Sequence, residues 1–417
     1  MADFWFVSAP LPGHLDWGGL LRTAQALLAR GHRVSWLSGP QVARTLTRAG
    51  LDFIPLRETG WLWPPPPPPD VSQLPPQDAV MLRYRRALDT WLSVDRVAAA
   101  SEELIERGRI GSAPDMIVAD PFLSAAALAA EALDLPLVVG GWPAQAALDE
   151  ERLLAVQKTL GEDSRARLRQ LLERFGLKGR NFSRGATPSV LSPLLHLCFF
   201  TENWYAEERG SLLPQNAYVG GAPSIPPDEP PPWLHAIPAD APLALITLGT
   251  TFTGDLGFFS WAAQAAARLD LIPIVVIGWH PIAAERKAEL IDALPARARL
   301  LNWVDFHHVL PRARLAIHHG GMGTTHAVLV HGVPQLVVPH AADQRAQARR
   351  VSQAKVGLHL SAHDVRSGAL LTGARALLND ARVQQGARDL AIEMAAGGGP
   401  QRAAGLLLDA LERSQTS

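Results

Sequence analysis

Short apolar runs alternate with longer segments in which apolar and polar residues repeat at helical spacing. In the first half, the runs occupy residues 4–9, 33–38, 52–56, 115–120 and 135–140. The segments between them, such as LLRTAQALLARG, often end in glycine as helices do. The same alternation returns at residues 243–249, 272–278, 298–303, 314–319 and 334–339. Strands that are apolar on both faces and separated by helices predict parallel sheets covered on both sides.

A proline-rich stretch, GGAPSIPPDEPPP at residues 220–232, separates the two halves. It is too rich in proline to join either sheet and predicts a semi-rigid linker. We therefore expect two doubly wound, Rossmann-like domains facing across a cleft, an N-terminal one at residues 1–219 and a C-terminal one at 233–417. The amphipathic segment at residues 400–417 predicts a terminal helix that packs across the domains and can return to the first.

A second proline-rich segment, WLWPPPPPPDVSQLPP, begins at Trp61 and excludes both helix and central strand. Polyproline can serve as a ligand for a proline-reading domain, but we interpret this segment as a stiff surface loop. Its tryptophans, Trp61 and Trp63, are candidates to line a pocket for an apolar molecule.

Length and composition agree with two domains. The 417 residues are 47% hydrophobic, enough for two cores, and the net charge of −1 disfavours nucleic-acid binding. The single cysteine, Cys198, lies in an apolar stretch and is expected to be a small buried hydrophobe. The first residues show no leader pattern and no apolar run approaches the ~20 residues of a membrane helix. We expect a soluble, cytoplasmic protein.

The run at 314–319 breaks into HHGGMGTT, residues 318–325, just before a predicted helix. Glycines let an anion approach the backbone, and backbone N–H groups and hydroxyls at a helix start can bind phosphate. The stretch lacks the Gly-Lys-Ser/Thr of a phosphate loop, and it lies too late in its domain for a dinucleotide fingerprint. A plain turn needs glycine but not paired histidines and threonines, so we predict a diphosphate site.

Other candidates follow neighbouring predicted strands. Asp343 and Gln344 follow the run at 334–339 and could hold sugar hydroxyls, although aspartate is also a common helix cap. Trp303 follows the run at 298–303 and could stack on a base. Thr250 follows the first strand of the second half and could donate a hydroxyl. Together these residues predict a nucleotide-sugar site.

At this point the chain resembles a known family. HHGGMGTTHAVLVHGVPQLVVPHAADQ, with Trp303 upstream, resembles the donor signature of the UDP-glycosyltransferase superfamily, which has the GT-B fold. The N-terminal SAPLPGHLDWGG is similar to the Gly-His loop of that family. The pattern is closer to the bacterial macrolide- and sterol-type members than to plant enzymes, and it covers nearly the whole chain.

The resemblance implies a role for each matching residue. It implies base stacking by Trp303, sugar binding by Asp343 and Gln344, a hydroxyl contact by Thr250, and catalysis by His14 as general base with Asp120 as its partner. The diphosphate contacts it implies come from the glycine stretch, at His319, Gly321, Gly323 and Thr324. His318 receives no such role, and we expect it to be structural.

The chain also departs from the family pattern. Asp305 and Phe306 stand where plant members have Pro-Gln, and Ala327 stands where they have a ribose-binding glutamate. Trp17 replaces the proline usually found three residues after the catalytic histidine. Ribose recognition, and with it the choice between UDP and TDP, stays open.

The residues themselves support His14 as a base. An imidazole with a pKa near ~6.5 is largely neutral at cellular pH, and a carboxylate on its other nitrogen would fix its tautomer. Both His14 and Asp120 follow predicted strands. Asp16 is the alternative base, because it lies two residues away. We found no Asp-x-Asp motif and no metal-ligand spacing, so helix N-termini and side chains would stabilise the leaving diphosphate.

The sequence thus predicts a metal-independent, inverting glycosyltransferase that moves a sugar, most simply glucose from UDP-glucose, to an apolar acceptor. Flavonoids, terpenoids, sterols, carotenoids and macrolides are the candidate acceptors, bound by Trp17, Trp61, Trp63 and Trp142. Two alternatives remain, a nucleotide-sugar epimerase and a non-catalytic nucleotide-sugar-binding helper. An epimerase needs no acceptor pocket, and a helper would not need both His14 and Asp120.

Overall fold

The computed structural model describes two compact units, each built on its own parallel sheet. Described residues are 1–64, 70–71, 73–111, 113–146, 155–185, 188–225, 229–249, 255–278, 282–340 and 342–416, without the side chains of 155–157, 342 and 343. Unit 1 comprises Met1–Phe199, Ala206–Val219 and Pro400–Ser417, and unit 2 comprises Phe200–Tyr205 and Gly220–Gly399. The prediction of two parallel α/β domains is confirmed.

Within the described residues, the sheet of unit 1 has seven parallel strands in the order β3-β2-β1-β4-β5-β6-β7. The strands are β1 (Asp3–Val7), β2 (Arg33–Ser38), β3 (Asp52–Pro55), β4 (Met116–Ala119), β5 (Leu137–Gly140), β6 (Leu195–Cys198) and β7 (Asn216–Tyr218). The helices are α1 (Gly13–Asp16), α2 (Leu20–Ala29), α3 (Ala43–Arg48), α4 (Pro76–Trp91), α5 (Val94–Ile110), α6 (Ser124–Ala132) and α7 (Ala155–Phe175).

The described part of unit 2 has six parallel strands in the order β10-β9-β8-β11-β12-β13. The strands are β8 (Leu243–Thr247), β9 (Ile272–Val276), β10 (Arg299–Leu301), β11 (Ala313–His318), β12 (Gln335–Val337) and β13 (Gly357–His359). The helices are α8 (Pro232–His235), α9 (Leu256–Ala267), α10 (Ala284–Ala293), α11 (Phe306–Val309), α12 (Met322–Val330), α13 (Ala342–Gln353), α14 (Ala362–Arg366), α15 (Ala369–Asn379) and α16 (Ala381–Ala396). A last helix, α17 (Gly399–Thr416), follows.

Continuous apolar runs make the central strands because both faces of each sheet are covered. Every residue of β4, β5 and β8 is buried. Their sequences MIVA, LVVG and LALIT predict this, because apolar and polar residues do not alternate along them. β6 contains the buried Cys198, whose thiol pKa is raised by burial. The cysteine is therefore the small buried hydrophobe that its surroundings predicted.

From Pro400 onward, α17 belongs to unit 1. It buries Ala403, Ala404, Leu407 and Ala410, one apolar stripe of an amphipathic helix. Its start is held by Arg30, whose guanidinium donates to the carbonyl of Gln401 at 2.7 Å. The end of the chain is thus part of the core of the N-terminal unit.

We predict that Leu407→Ala destabilises unit 1, because it leaves a cavity where a fully buried side chain packs. The expected loss is about 2–5 kcal/mol of unfolding free energy, measured by denaturant unfolding. Asp409→Ala, on the exposed face of the same helix, is the control and should change stability by less than about 0.5 kcal/mol. Equal stabilities of the two variants would show that α17 does not contribute to the core.

Candidate active site

His14, Asp120 and the glycine stretch at 318–325 lie where each sheet reverses the direction of its connections. In unit 1, β1 and β4 are neighbours, while the chain runs from β1 to β2 on one side and from β4 to β5 on the other. In unit 2, β8 and β11 stand in the same relation. Loops diverge at such a point and leave a crevice at the carboxyl ends of the strands, where ligands bind in open α/β sheets.

In unit 1, His14 and Asp120 follow β1 and β4 and meet at this point. The Nδ1 atom of His14 lies 2.5 Å from Oδ2 of Asp120, a carboxylate with no solvent exposure. The other oxygen, Oδ1, accepts the backbone N–H of Phe122 at 2.8 Å, which fixes the carboxylate. An ionised carboxylate only accepts, so in a neutral imidazole Nδ1–H donates to it and the lone pair is on Nε2. This is the tautomer that a general base requires.

Asp16, the alternative base, has a different contact. Its Oδ1 accepts the backbone N–H of Leu21 at 3.2 Å, in the first turn of α2. The carboxylate therefore caps the positive end of that helix.

Aromatic rings surround the imidazole of His14. Ring centroids of Trp17, Trp61 and Phe122 lie 4.7, 4.9 and 5.8 Å from that of His14. Trp142 packs edge to face on Phe122 at 5.2 Å. The structure thus brings together three of the four tryptophans predicted to bind an acceptor.

Phe122 is the central ring of this group, and the sequence reasoning missed it. It also contacts Trp91 at 6.4 Å. Its position in the sequence ADPF, two residues after Asp120, could have indicated that it lies close to His14. We call Trp17, Trp61, Trp91, Phe122 and Trp142 the aromatic cluster.

Two backbone features hold Trp17 and Trp142. Trp17 has a left-handed backbone (φ 45°), which is unusual for a bulky residue, and a side chain at Gly141 would collide with its ring. The carbonyl of Trp142 accepts Nδ1–H of His196 at 3.0 Å. Burial lowers the pKa of His196 to about 4, so the ring is neutral and its Nε2 accepts the N–H of Ser192.

Trp63, like Trp61 and Trp91, packs against the buried core of unit 1. The proline segment that follows lies partly outside the described residues, at 65–69 and 72.

In unit 2, His318 ends β11 and organises the glycine stretch. Its Nε2–H donates to Oε1 of Gln335 at 2.8 Å, and its Nδ1 accepts the N–H of Gly320 at 3.0 Å. Gly320 has a left-handed backbone (φ 87°), which glycine adopts without strain. Burial lowers the pKa of His318 to about 4, consistent with this neutral, doubly bonded ring. Gln335 is a further residue that the sequence reasoning missed.

His319 lies between two glycines. A side chain at Gly249 would come within 2.7 Å of its imidazole, and one at Gly321 would collide with Nε2 of the same ring. The ring is 6% exposed, and burial, with His318 and His340 nearby, lowers its pKa to about 3. His319 is thus neutral, and it can offer one N–H and one lone pair.

The helix α12 begins directly after this loop, with Gly321 at its N-cap. The first helical bond runs from the N–H of Thr325 to the carbonyl of Gly321, so the N–H groups of the preceding turn have no partner within the helix. A side chain at Gly323 would meet no atom within 4 Å. Free amides beside open space at the positive end of a helix form an arrangement suited to an anion.

The structure describes only some of the residues predicted to bind the sugar or the nucleotide. Thr250 and the side chain of Asp343 lie outside the described residues. Gln344 is buried, and its Oε1 accepts the N–H of His340 at 2.8 Å. His340 in turn contacts Asp255 at 3.5 Å, and Asp255 caps α9. The sequence did not indicate the contact between His340 and Asp255, because the two residues are far apart in the chain.

Trp303 is 56% exposed, although it is a large apolar side chain. It follows β10 at an edge of the sheet and presents a surface on which a planar base can stack. Of the positions that depart from the family pattern, Asp305 caps α11, while Phe306 and Ala327 pack against the core.

In the part of the chain that the structure describes, no three His, Cys, Asp or Glu side chains converge as a metal centre requires. None of the described helices has the length and apolar character to cross a membrane.

Comparison with known proteins finds similarity along nearly the whole chain. Residues 264–410 match the C-terminal domain described as erythromycin biosynthesis protein CIII-like. The chain is 23% identical over 420 residues to the 4'-demethylrebeccamycin synthase of Lentzea aerocolonigenes, covering 93% of this chain and 94% of that protein. It is 26% identical over 411 residues to the TDP-daunosamine transferase of Streptomyces peucetius, covering 90% of each.

Among solved structures, the crystal structure of the glycotransferase of kitacinnamycin is similar to the full chain. The TM-score is 0.74 at 25% identity, over 98% of this chain and 99% of that one.

We predict that acid destabilises the fold through its buried histidines. The pKa values of His196, His318 and His331 are lowered to about 4, and that of His319 to about 3, mainly by burial. Below the ordinary pKa of 6.5, these histidines are protonated in the unfolded chain but still neutral in the folded chain. The free energy of unfolding therefore falls as the pH drops from about 6.5 toward about 4.

The melting temperature measured between roughly pH 7.5 and pH 5 checks this. His196→Gln should reduce the slope, because it removes one of the four groups. A melting temperature that rises on acidification would contradict the burial of these rings in neutral form.

Proposed function

We propose that the chain is a glycosyltransferase that uses a nucleotide sugar, because it is similar to antibiotic-type glycosyltransferases of the GT-B fold. Unit 2 binds the donor, unit 1 binds an apolar small-molecule acceptor, and a hexose passes to an acceptor hydroxyl with inversion. His14 is the general base and Asp120 its positioning partner. The observation that best supports the proposal is the hydrogen bond between these two side chains.

The proposed step moves one proton and three electron pairs. Nε2 of His14 takes the proton of the acceptor hydroxyl while the oxygen attacks the anomeric carbon and the bond to the diphosphate breaks. Asp120 stabilises the imidazolium that forms, because its carboxylate already accepts from Nδ1–H. Direct displacement from the opposite face inverts the anomeric centre.

The glycine stretch would stabilise the leaving diphosphate. The amides of the first turn of α12 and the neutral His319 offer N–H groups to the developing charge, and Thr324 adds a hydroxyl. Fixed donors of this kind act without reorganising during the reaction. In this proposal, Trp303 stacks on the base, Asp343 and Gln344 bind the sugar, and Thr250 and Gly321 complete the donor contacts.

The nucleotide is either UDP or TDP. The resemblance of the sequence favours UDP-glucose, whereas one relative is named for a TDP-sugar. Ala327 packs against the core and offers no carboxylate to a ribose hydroxyl, so this position does not favour UDP over TDP. Turnover of UDP-glucose and TDP-glucose with a panel of phenols and alcohols, read by mass spectrometry, tests the donor.

We predict that His14→Ala lowers the rate of transfer by about 10²- to 10⁴-fold, the usual contribution of a general base. Nucleotide affinity, measured by calorimetry, should stay unchanged because His14 belongs to the acceptor unit. Asp16→Asn is the matched control and should keep most of the activity, since Asp16 caps α2. Full turnover by His14→Ala, or loss of activity in Asp16→Asn alone, would overturn the assignment of the base.

We also predict that Gly323→Ala has opposite effects on stability and on binding. Alanine in a helix is favoured over glycine by up to about 1 kcal/mol, and its methyl group enters open space in the protein alone. In the proposed complex, that space holds the diphosphate, so affinity for UDP and TDP should fall by about tenfold or more. Gly405→Ala, within α17, should leave nucleotide binding unchanged. Unaltered affinity in Gly323→Ala would remove the diphosphate from this helix end.

A further inference from the structure

The aromatic cluster contains donors that lack acceptors. The Nε1 atoms of Trp17, Trp61 and Trp142 are buried and have no hydrogen-bond partner among the described residues. An indole N–H donates only, so no rearrangement of its own protons can satisfy it. Buried donors are normally paired, and an unpaired one calls for an explanation.

Two buried tryptophans elsewhere in the described residues, Trp36 and Trp204, do have partners. Nε1–H of Trp36 donates to Oγ of Ser8 at 2.9 Å, and that of Trp204 donates to Oε1 of Gln347 at 3.0 Å. The unpaired indoles are therefore a local feature of the group of rings around His14. Three of them at one place suggest that the missing acceptors belong to a ligand.

The rings come from loops after four different strands, so this arrangement depends on the fold of unit 1. His14 and Trp17 follow β1, Trp61 follows β3, Phe122 follows β4 and Trp142 follows β5. Phe122 contacts Trp61 and Trp142 at steep interplanar angles of 69° and 71°. A further flat ring can pack against rings in this edge-to-face arrangement.

We propose, resting on the proposed function of His14, that the acceptor is a planar, oxygenated aromatic compound, such as a hydroxylated quinone or flavone. Its carbonyl or ether oxygens accept from the indole N–H groups of Trp17, Trp61 and Trp142, and its phenol faces Nε2 of His14. A terpenoid, sterol or carotenoid whose skeleton carries no oxygen acceptors would leave these donors unpaired. The N–H groups are covered in this structure, so the acceptor displaces the groups that cover them.

The test compares two probes that share a ring skeleton and a phenol. 2-Hydroxyanthraquinone carries two carbonyl oxygens, and 2-hydroxyanthracene carries none. Their dissociation constants are measured with the full chain by quenching of tryptophan fluorescence, at a pH that keeps both phenols protonated. We expect the quinone to bind at least about tenfold more tightly, since each neutral hydrogen bond contributes a factor of about 2 to 10.

Substitution of tryptophan by phenylalanine removes the N–H and keeps an aromatic ring. Trp17→Phe, Trp61→Phe and Trp142→Phe should each weaken quinone binding by about 2- to 10-fold and leave binding of the anthracene unchanged. Trp91→Phe is the matched control, because Trp91 lies in the aromatic cluster but its N–H is not among the unpaired donors. The ratio of the two affinities is the readout, because partial unfolding lowers both affinities alike.

Equal affinity for the two probes in the unsubstituted chain would overturn the inference, and so would an unchanged ratio in all three variants. Transfer of sugar to a saturated sterol with equal probe affinities would contradict the acceptor class but leave the proposed function standing. Retention of the affinity ratio without any sugar transfer would support the acceptor class and contradict the proposed function.

Discussion

Parallel pairing places the carboxyl ends of all strands of a sheet at one edge, and this constraint determines the chemistry of both units. At that edge, the connections diverge only between β1 and β4 in unit 1 and between β8 and β11 in unit 2. His14 meets Asp120 because β1 and β4 are neighbours, although the two residues are more than a hundred positions apart. In the same way, Gly249 meets the ring of His319 because β8 pairs with β11.

Buried neutral imidazoles are the recurring structural device of the chain. His318 and His196 each accept a backbone N–H on one nitrogen and face an oxygen acceptor with the other. A lysine or arginine in these places would carry a charge that burial penalises, and a serine could not reach across both partners. The histidine in each case holds a loop, the glycine stretch in unit 2 and the backbone of Trp142 in unit 1. These two residues act on the proposed sites through the backbone that they position.

Much of the fold and part of the site could be predicted from local patterns. The unbroken apolar runs predicted the parallel strands, and HHGGMGTT predicted the helix start at α12, since both signals lie within a few residues. The predicted GT-B fold is confirmed, and so is the similarity to macrolide-type glycosyltransferases. The roles assigned to His14, His319 and the other site residues stay predictions.

Other features were beyond local reasoning. Phe122, Gln335 and the contact between His340 and Asp255 depend on side-chain packing between elements far apart in sequence. β7 and β13 are three-residue strands of mixed polarity, and so short a run carries no periodicity. Sequence also could not show which tryptophans surround His14, because Trp17, Trp61 and Trp142 come from loops after three different strands.

The placement of His319 between Gly249 and Gly321 has a consequence for how this loop can evolve. The ring occupies the volume that a side chain at either glycine would need, so neither position can change while the imidazole stays in place. Loss of the histidine would give room for a side chain at Gly321 but not at Gly249, whose left-handed backbone (φ 74°) itself favours glycine. The loop after β8 is therefore constrained twice, by its own backbone and by a ring that belongs to another loop, whereas Gly321 is constrained by the ring alone.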